Sequence, residues 1–176
     1  CSIGFPVPSI CETADKINAD LIVMGTTGAT GLKGAFLGSI AAGVLAQTRR
    51  PLLSVPKQAL ASNSTKDVVF ATDFRFKLQE QSLAILQEYI RLEKGKLHFV
   101  HIIDKPGAEP DKSREKSLSQ KFEGIPHDFH YLHDRDIAQA VSNFIEATGA
   151  GTLVAIAHEH SLFHRLFFDS ITRRLA

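Results

Sequence analysis

Short apolar runs separated by stretches of helical periodicity constrain this 176-residue chain more than any other feature. Residues 21–24 read Leu21-Ile22-Val23-Met24 and stop at Gly25. A run that is apolar at every position suits a strand buried on both faces, as in a parallel sheet. Residues 68–71, 97–103 and 152–157 read as strands in the same way, and residues 127–132 form a weaker one. A short strand over 51–55 opens on Pro51, a placement that favours a sheet edge. Between these runs, Ile10, Ala14 and Ile17 recur at helical spacing, as do Leu83, Leu86 and Ile90, and then Ile137, Val141, Phe144 and Ile145. Ser9 and Glu12 stand in capping-box spacing, which predicts a helix over 9–19. Further helices are predicted from Gly38 to Leu45, over the charged stretch 113–122 and over 163–176. Strands alternating with helices imply an α/β fold, an open parallel sheet with helices on both faces.

An internal repeat bears on domain organisation. Residues 21–25 align with 153–157 at an offset of 132, and Phe36-Leu37-Gly38-Ser39-Ile40 aligns with Phe167-Phe168-Asp169-Ser170-Ile171 at an offset of 131. Two complete copies of such a unit need roughly 262 residues, about 86 more than the chain has. The expectation is a tandem protein truncated at both ends. Its parts are residues 1–57 from the end of a first domain, a polar linker at 58–66, and a second domain at 67–176.

Composition narrows the classes. With 44% apolar and 22% charged residues and a net charge of +1, the chain is neither a disordered tail nor a collagen-like repeat. Six basic residues face three acidic ones over 1–66, and fourteen face sixteen over the remainder, with no basic aromatic stripe. Neither nucleic acid nor a membrane is therefore expected as a partner. A cytoplasmic location is the default expectation, and Cys1 and Cys11 are expected as reduced thiols.

The sharpest local pattern is Gly25-Thr26-Thr27-Gly28, nine further residues, and then Gly38-Ser39 at the start of a helix. Residues 25–43 hold six of the chain's twelve glycines. Glycines allow backbone N–H groups to approach an anion, and a helix N-terminus supplies unpaired amides and a favourable dipole. Ser39 adds a hydroxyl donor. The segment is neither a Walker A loop nor a GxGxxG fingerprint. The same glycines also occur in merely flexible loops.

On these residues the chain resembles the universal stress protein family, whose nucleotide-binding members carry G-x2-G-x9-G-[ST] after a strand of the type DLIVMG. Asp20 to Gly25, Gly28, Gly38 and Ser39 fill that pattern, and residues 50–56 look like the family's last strand. The resemblance implies that Gly25, Gly28, Gly38 and Ser39 hold the phosphates and ribose of ATP, with Mg, and that Met24 and Ile40 line the pocket. It also implies an Asp at the end of the family's first strand, which the first half of this chain lacks. In the second half Asp73 matches that Asp, but Ala157 and His160 replace the two loop glycines and Asp169 stands where Gly38 stands. A carboxylate there repels phosphate and more simply caps its own helix. The second half is expected to be a pseudo-domain.

The function implied is a nucleotide-binding stress-response protein that couples occupancy to conformation or partner choice. It would act as a homo-oligomer such as a dimer, or as an intramolecular pseudo-dimer paired across last strands. With no catalytic base visible near the loop, hydrolysis is expected to be at most slow and incidental. A scaffold that binds no nucleotide is the competing reading. His158, His160 and His164, spaced H-x-H-x3-H, suggest a third, a metal site, against the simpler reading of polar loop residues. His98 and His101, like His127 and His130, fall on different strand faces and read as sheet residues. Asp134 and Asp136 read as helix caps.

Overall fold

The computed structural model describes residues 5–26, 38–56, 64–72, 79–103, 111–134 and 136–156. The chain divides into two compact units, Cys1–Ser62 and Asn63–Ala176.

The first unit runs α1 (Pro6–Lys16), β1 (Ile22–Gly25), α2 (Ser39–Gln47) and β2 (Leu52–Val55). The two strands pair in parallel, Ile22 with Leu52 through Gly25 with Val55. Helix α1 starts three residues earlier than the capping-box spacing predicts. Proline is favoured in the first helical turn because its missing N–H is an orphan there in any case, so Pro6 and Pro8 open the helix and Phe5 is its N-cap. Ser9 lies inside the first turn, its amide bonded to the Phe5 carbonyl at 3.2 Å. Ala14, Ile22 and Val44 form the core, with Val7, Ile10, Cys11, Met24 and Leu52 packed around them. The expectation that 21–24 is buried on both faces is corrected here. Only Ile22 is buried and Val23 is 61% exposed, because the sheet described has two strands and no element among the described residues packs on Val23's face. Cys11 is a free thiol, as expected.

Arg50 ties the turn after α1 to the start of β2. Its Nε donates to Asp15 Oδ1 at 2.9 Å, while its terminal nitrogens donate to the Ala19 carbonyl and Asn18 Oδ1, each at 3.2 Å. Asn18 takes the left-handed conformation that ends the helix.

The second unit runs β3 (Thr65–Ala71), α3 (Glu80–Glu93), β4 (Leu97–Ile103), α4 (Lys112–Lys121), β5 (His127–His133), α5 (Ile137–Thr148) and β6 (Ala150–Ala155). Its strand order is β5-β4-β3-β6 and every pair is parallel. Strand β3 begins at Thr65, so the last residues of the expected linker belong to the sheet. One face packs Val69, Ala71, Val100 and Ile102 under Ile137, Ala140 and Val141 of α5. The other packs Val68, Phe70, Leu97 and Phe99 against Leu83 and Ile90 of α3 and Leu118 of α4. Phe99 stacks on Phe129 at 4.8 Å and meets Phe122 edge-on at 5.2 Å. The sheet is thus covered on both faces, as its unbroken apolar strands require. Asp111 and Asp136 cap α4 and α5, and Asp134 accepts the Asp136 amide at 2.9 Å. Winding reverses between β3 and β6, so the crevice for a ligand in an open parallel sheet lies beyond the carboxyl ends of those strands.

Candidate functional site

In the first unit the end of β1 and the start of α2 are held together. The ladder continues past Gly25, with the Thr26 amide donating to the Val55 carbonyl at 3.2 Å. The Gly38 amide then donates to the Thr26 carbonyl at 2.6 Å. These two bonds set Gly25, Gly38, Ser39 and Ile40 side by side at the carboxyl edge of the strands. Met24 is half-buried against the Ala14/Ile22/Val44 core and so supports the strand end. Ser39 is exposed, and Ile40 is 41% exposed, leaving an apolar side chain open beside the helix start. Gly28 lies outside the described residues.

The N-terminus of α2 differs from those of α4 and α5. Asp111 accepts from the Ser113 and Arg114 amides at 3.1 and 3.2 Å, and Asp136 from the Gln139 amide at 3.1 Å. Hydrogen bonds from the Ser113 side chain and the Arg114 amide hold the Asp111 carboxyl below its ordinary value. At α2 the cap is Gly38, with no side-chain acceptor and no acidic residue in the first turn. Among the described residues, no side chain caps the positive end of this helix. Gly25 fits the same picture. Among the described residues a Cβ there would meet only the Val55 carbonyl, at 3.9 Å, an ordinary contact. Packing among the described residues does not demand glycine at this position.

Several expectations fall outside the described residues: Asp73, Ala157, Asp169, the helix over 163–176, and His158, His160 and His164. A different histidine constellation is present in the second unit, and the sequence reading missed it. The β4–β5 register sets His98 opposite Asp128 and Val100 opposite His130. His98 Nδ1 lies 2.7 Å from Asp128 Oδ1, His130 Nε2 lies 2.8 Å from the same oxygen, and the two ring nitrogens are 3.3 Å apart. Lys96 Nζ holds Asp128 Oδ2 at 2.6 Å. Burial alone would raise the Asp128 carboxyl, but hydrogen bonds from Lys96, His98 and His130 outweigh it and bring the value down to about 2.

Comparison with known proteins bears on both units. The pattern of the universal stress protein family matches residues 2–56. A universal stress protein of Methanocaldococcus jannaschii is 52% identical over 54 residues, which are 31% of this chain and 32% of that protein. A universal stress protein E homolog of Haemophilus influenzae is 42% identical over 52 residues, 30% of this chain and 17% of the relative. The matched segment thus spans a third or less of either relative. The crystal structure of a universal stress protein from Archaeoglobus fulgidus superposes with a TM-score of 0.66 at 22% identity, covering 97% of this chain and 62% of that one. At that identity the likeness bears on the α/β fold alone. Residues 2–56 are thus similar to universal stress proteins, and the chain spans at most about a third of the length of the curated relatives it matches.

Proposed function

We propose that this is a nucleotide-binding stress-response protein in which the first unit holds the phosphates of ATP. The observation that carries the reading is the uncapped N-terminus of α2, drawn against the end of β1 by the bond from Gly38 to Thr26. Backbone amides at a helix start, beside a strand that ends in glycine, suit a phosphate chain. Gly25, Gly28, Gly38 and Ser39 would hold the phosphates, and Met24 and Ile40 would contact the rest of the nucleotide. Bound Mg-ATP contributes the negative charge that the helix end lacks. In this reading nucleotide occupancy selects a conformation or a partner.

The second unit is read as a degenerate copy of the first. A helix followed by a strand, α1–β1 in one unit and α5–β6 in the other, supports the tandem reading. So do the residue replacements Ala157, His160 and Asp169 for Gly25, Gly28 and Gly38. Gly28→Asp tests the proposal in the full chain: loss of Mg-ATP binding with unchanged thermal unfolding supports it. Unaltered affinity removes the loop from nucleotide binding and favours the scaffold reading.

A further inference from the structure

We propose that His98, Asp128 and His130 form a binding site for a divalent ion of the zinc class in the second unit, independent of the nucleotide reading. His98 is the second residue of β4 and Asp128 the second of β5, so the cluster sits near the amino ends of the strands. That is the opposite end of the sheet from the crevice between β3 and β6. Three potential ligand atoms, His98 Nδ1, Asp128 Oδ1 and His130 Nε2, lie 2.7 to 3.3 Å from one another. A tetrahedral ion with bonds of about 2.0 Å needs its ligands about 3.3 Å apart. A shift of a few tenths of an ångström therefore opens the triad around one ion. Two imidazoles and one carboxylate are a donor set that suits zinc, with the fourth position left to solvent.

The surroundings favour the ion as well. Without it, both imidazoles direct N–H groups at a single carboxylate oxygen. With it, His98 carries its proton on Nε2, which faces Asp67 Oδ2 at 3.8 Å, and Nδ1 becomes a lone-pair donor. Asp67 is itself fixed, accepting the Lys96 amide at 2.8 Å. Lys96 binds the outer oxygen of Asp128 and leaves Oδ1 for the ion. Asp67 and Asp128 together carry one more negative charge than Lys96 offsets. The Phe144 ring lies against both imidazoles, at 5.9 Å from His98 and 4.7 Å from His130, and walls off one side. His98 is buried, while the Asp128 and His130 side chains are each 32% exposed and give the ion a way in.

The test is calorimetric titration of zinc chloride into the chelator-stripped full chain, with cobalt(II) absorption as a second readout of ligand geometry. The proposal requires one ion per chain at this site and tetrahedral cobalt bands. His130→Gln, at the exposed rim, should weaken the affinity at least tenfold. Asp67→Asn, which removes a negative charge 3.8 Å from His98 Nε2, should weaken it by a smaller factor. A variant with His158, His160 and His164 all changed to Gln should retain it. Absence of stoichiometric binding, or binding that survives His130→Gln and vanishes in the triple variant, overturns the assignment. Far-ultraviolet circular dichroism of each variant separates lost binding from lost folding.

Discussion

The backbone amide of Gly38 donates to the carbonyl of Thr26 at 2.6 Å, pinning the start of α2 to the end of β1. This bond joins the two borders of the proposed phosphate site, and the helix cap, Gly38, carries no side chain. Gly38 has φ −57° and ψ 154°, which any residue can adopt, so aspartate is tolerated there. Gly38→Asp should cap α2 and leave the first unit as stable or a few tenths of a kcal/mol more stable. The same carboxylate should occupy the place of a phosphate and abolish nucleotide binding. Urea unfolding paired with nucleotide titration checks both halves of this expectation.

Gly95, just before β4, admits no side chain. A Cβ there would stand 1.8 Å from the Lys66 carbonyl oxygen, and the obstacle is backbone, which cannot swing aside. Gly95→Ala should force β3 and β4 apart at their amino ends and cost about 1–3 kcal/mol. The midpoint of urea denaturation reads this directly, and an unchanged midpoint would contradict the strand register.

Arg50 makes one hydrogen bond to Asp15 in the last turn of α1 and two to the turn after it, although Asp15 is largely exposed. The exposed ion pair contributes little, so most of the effect comes from the bonds to Ala19 and Asn18. Arg50→Ala should destabilise the first unit by about 1 kcal/mol. Lysine should restore only part of this, since it lacks the planar fork. Chemical denaturation of the two variants makes the comparison.

Tyr131 donates its hydroxyl to Glu115, and each group shifts the other. Burial and the bond to Glu115 push the Tyr131 hydroxyl well above its ordinary value of 10.0. Burial opposes ionisation of Glu115, but the bonds from Lys112 and Tyr131 prevail and hold it below 4.5. The Glu115 contribution to stability is therefore present above pH 4.5 and lost as pH falls below it. The Tyr131 contribution is present below pH 10.0 and lost as pH rises through its higher folded value. Tyr131→Phe should lower stability across the window between and flatten both limbs. The chain has two tyrosines and no tryptophan, so tyrosinate absorbance in a Tyr89→Phe background reads the Tyr131 titration cleanly.

Much of the fold was legible because its strands are short apolar runs: residues 97–103 form β4 as predicted, and Asp136 caps α5. The start of α1 was misread because Ser9 and Glu12 mimic a capping box, while Pro6 sets the true first turn. Burial of Val23 was overestimated because a run of apolar residues does not reveal how many neighbours a strand has. At the candidate nucleotide site, Gly25, Gly38 and Ser39 were legible from spacing, but the bond that joins their elements is a backbone contact with no sequence signature. The His98, Asp128 and His130 cluster was missed for a different reason. Its members share a face only through the register of β4 against β5, which no single strand encodes. The alternation of His98, Val100, Asp128 and His130 on two strands that proved to be neighbours was the available signal.

The most direct test of the central claim is calorimetric titration of Mg-ATP into the full chain and into Gly38→Asp, followed in parallel by phosphorus NMR of the nucleotide. The account predicts one nucleotide per chain, perturbed phosphate resonances, and loss of both in the variant. Absence of binding to the unmutated chain, or binding that persists in Gly38→Asp, would contradict it.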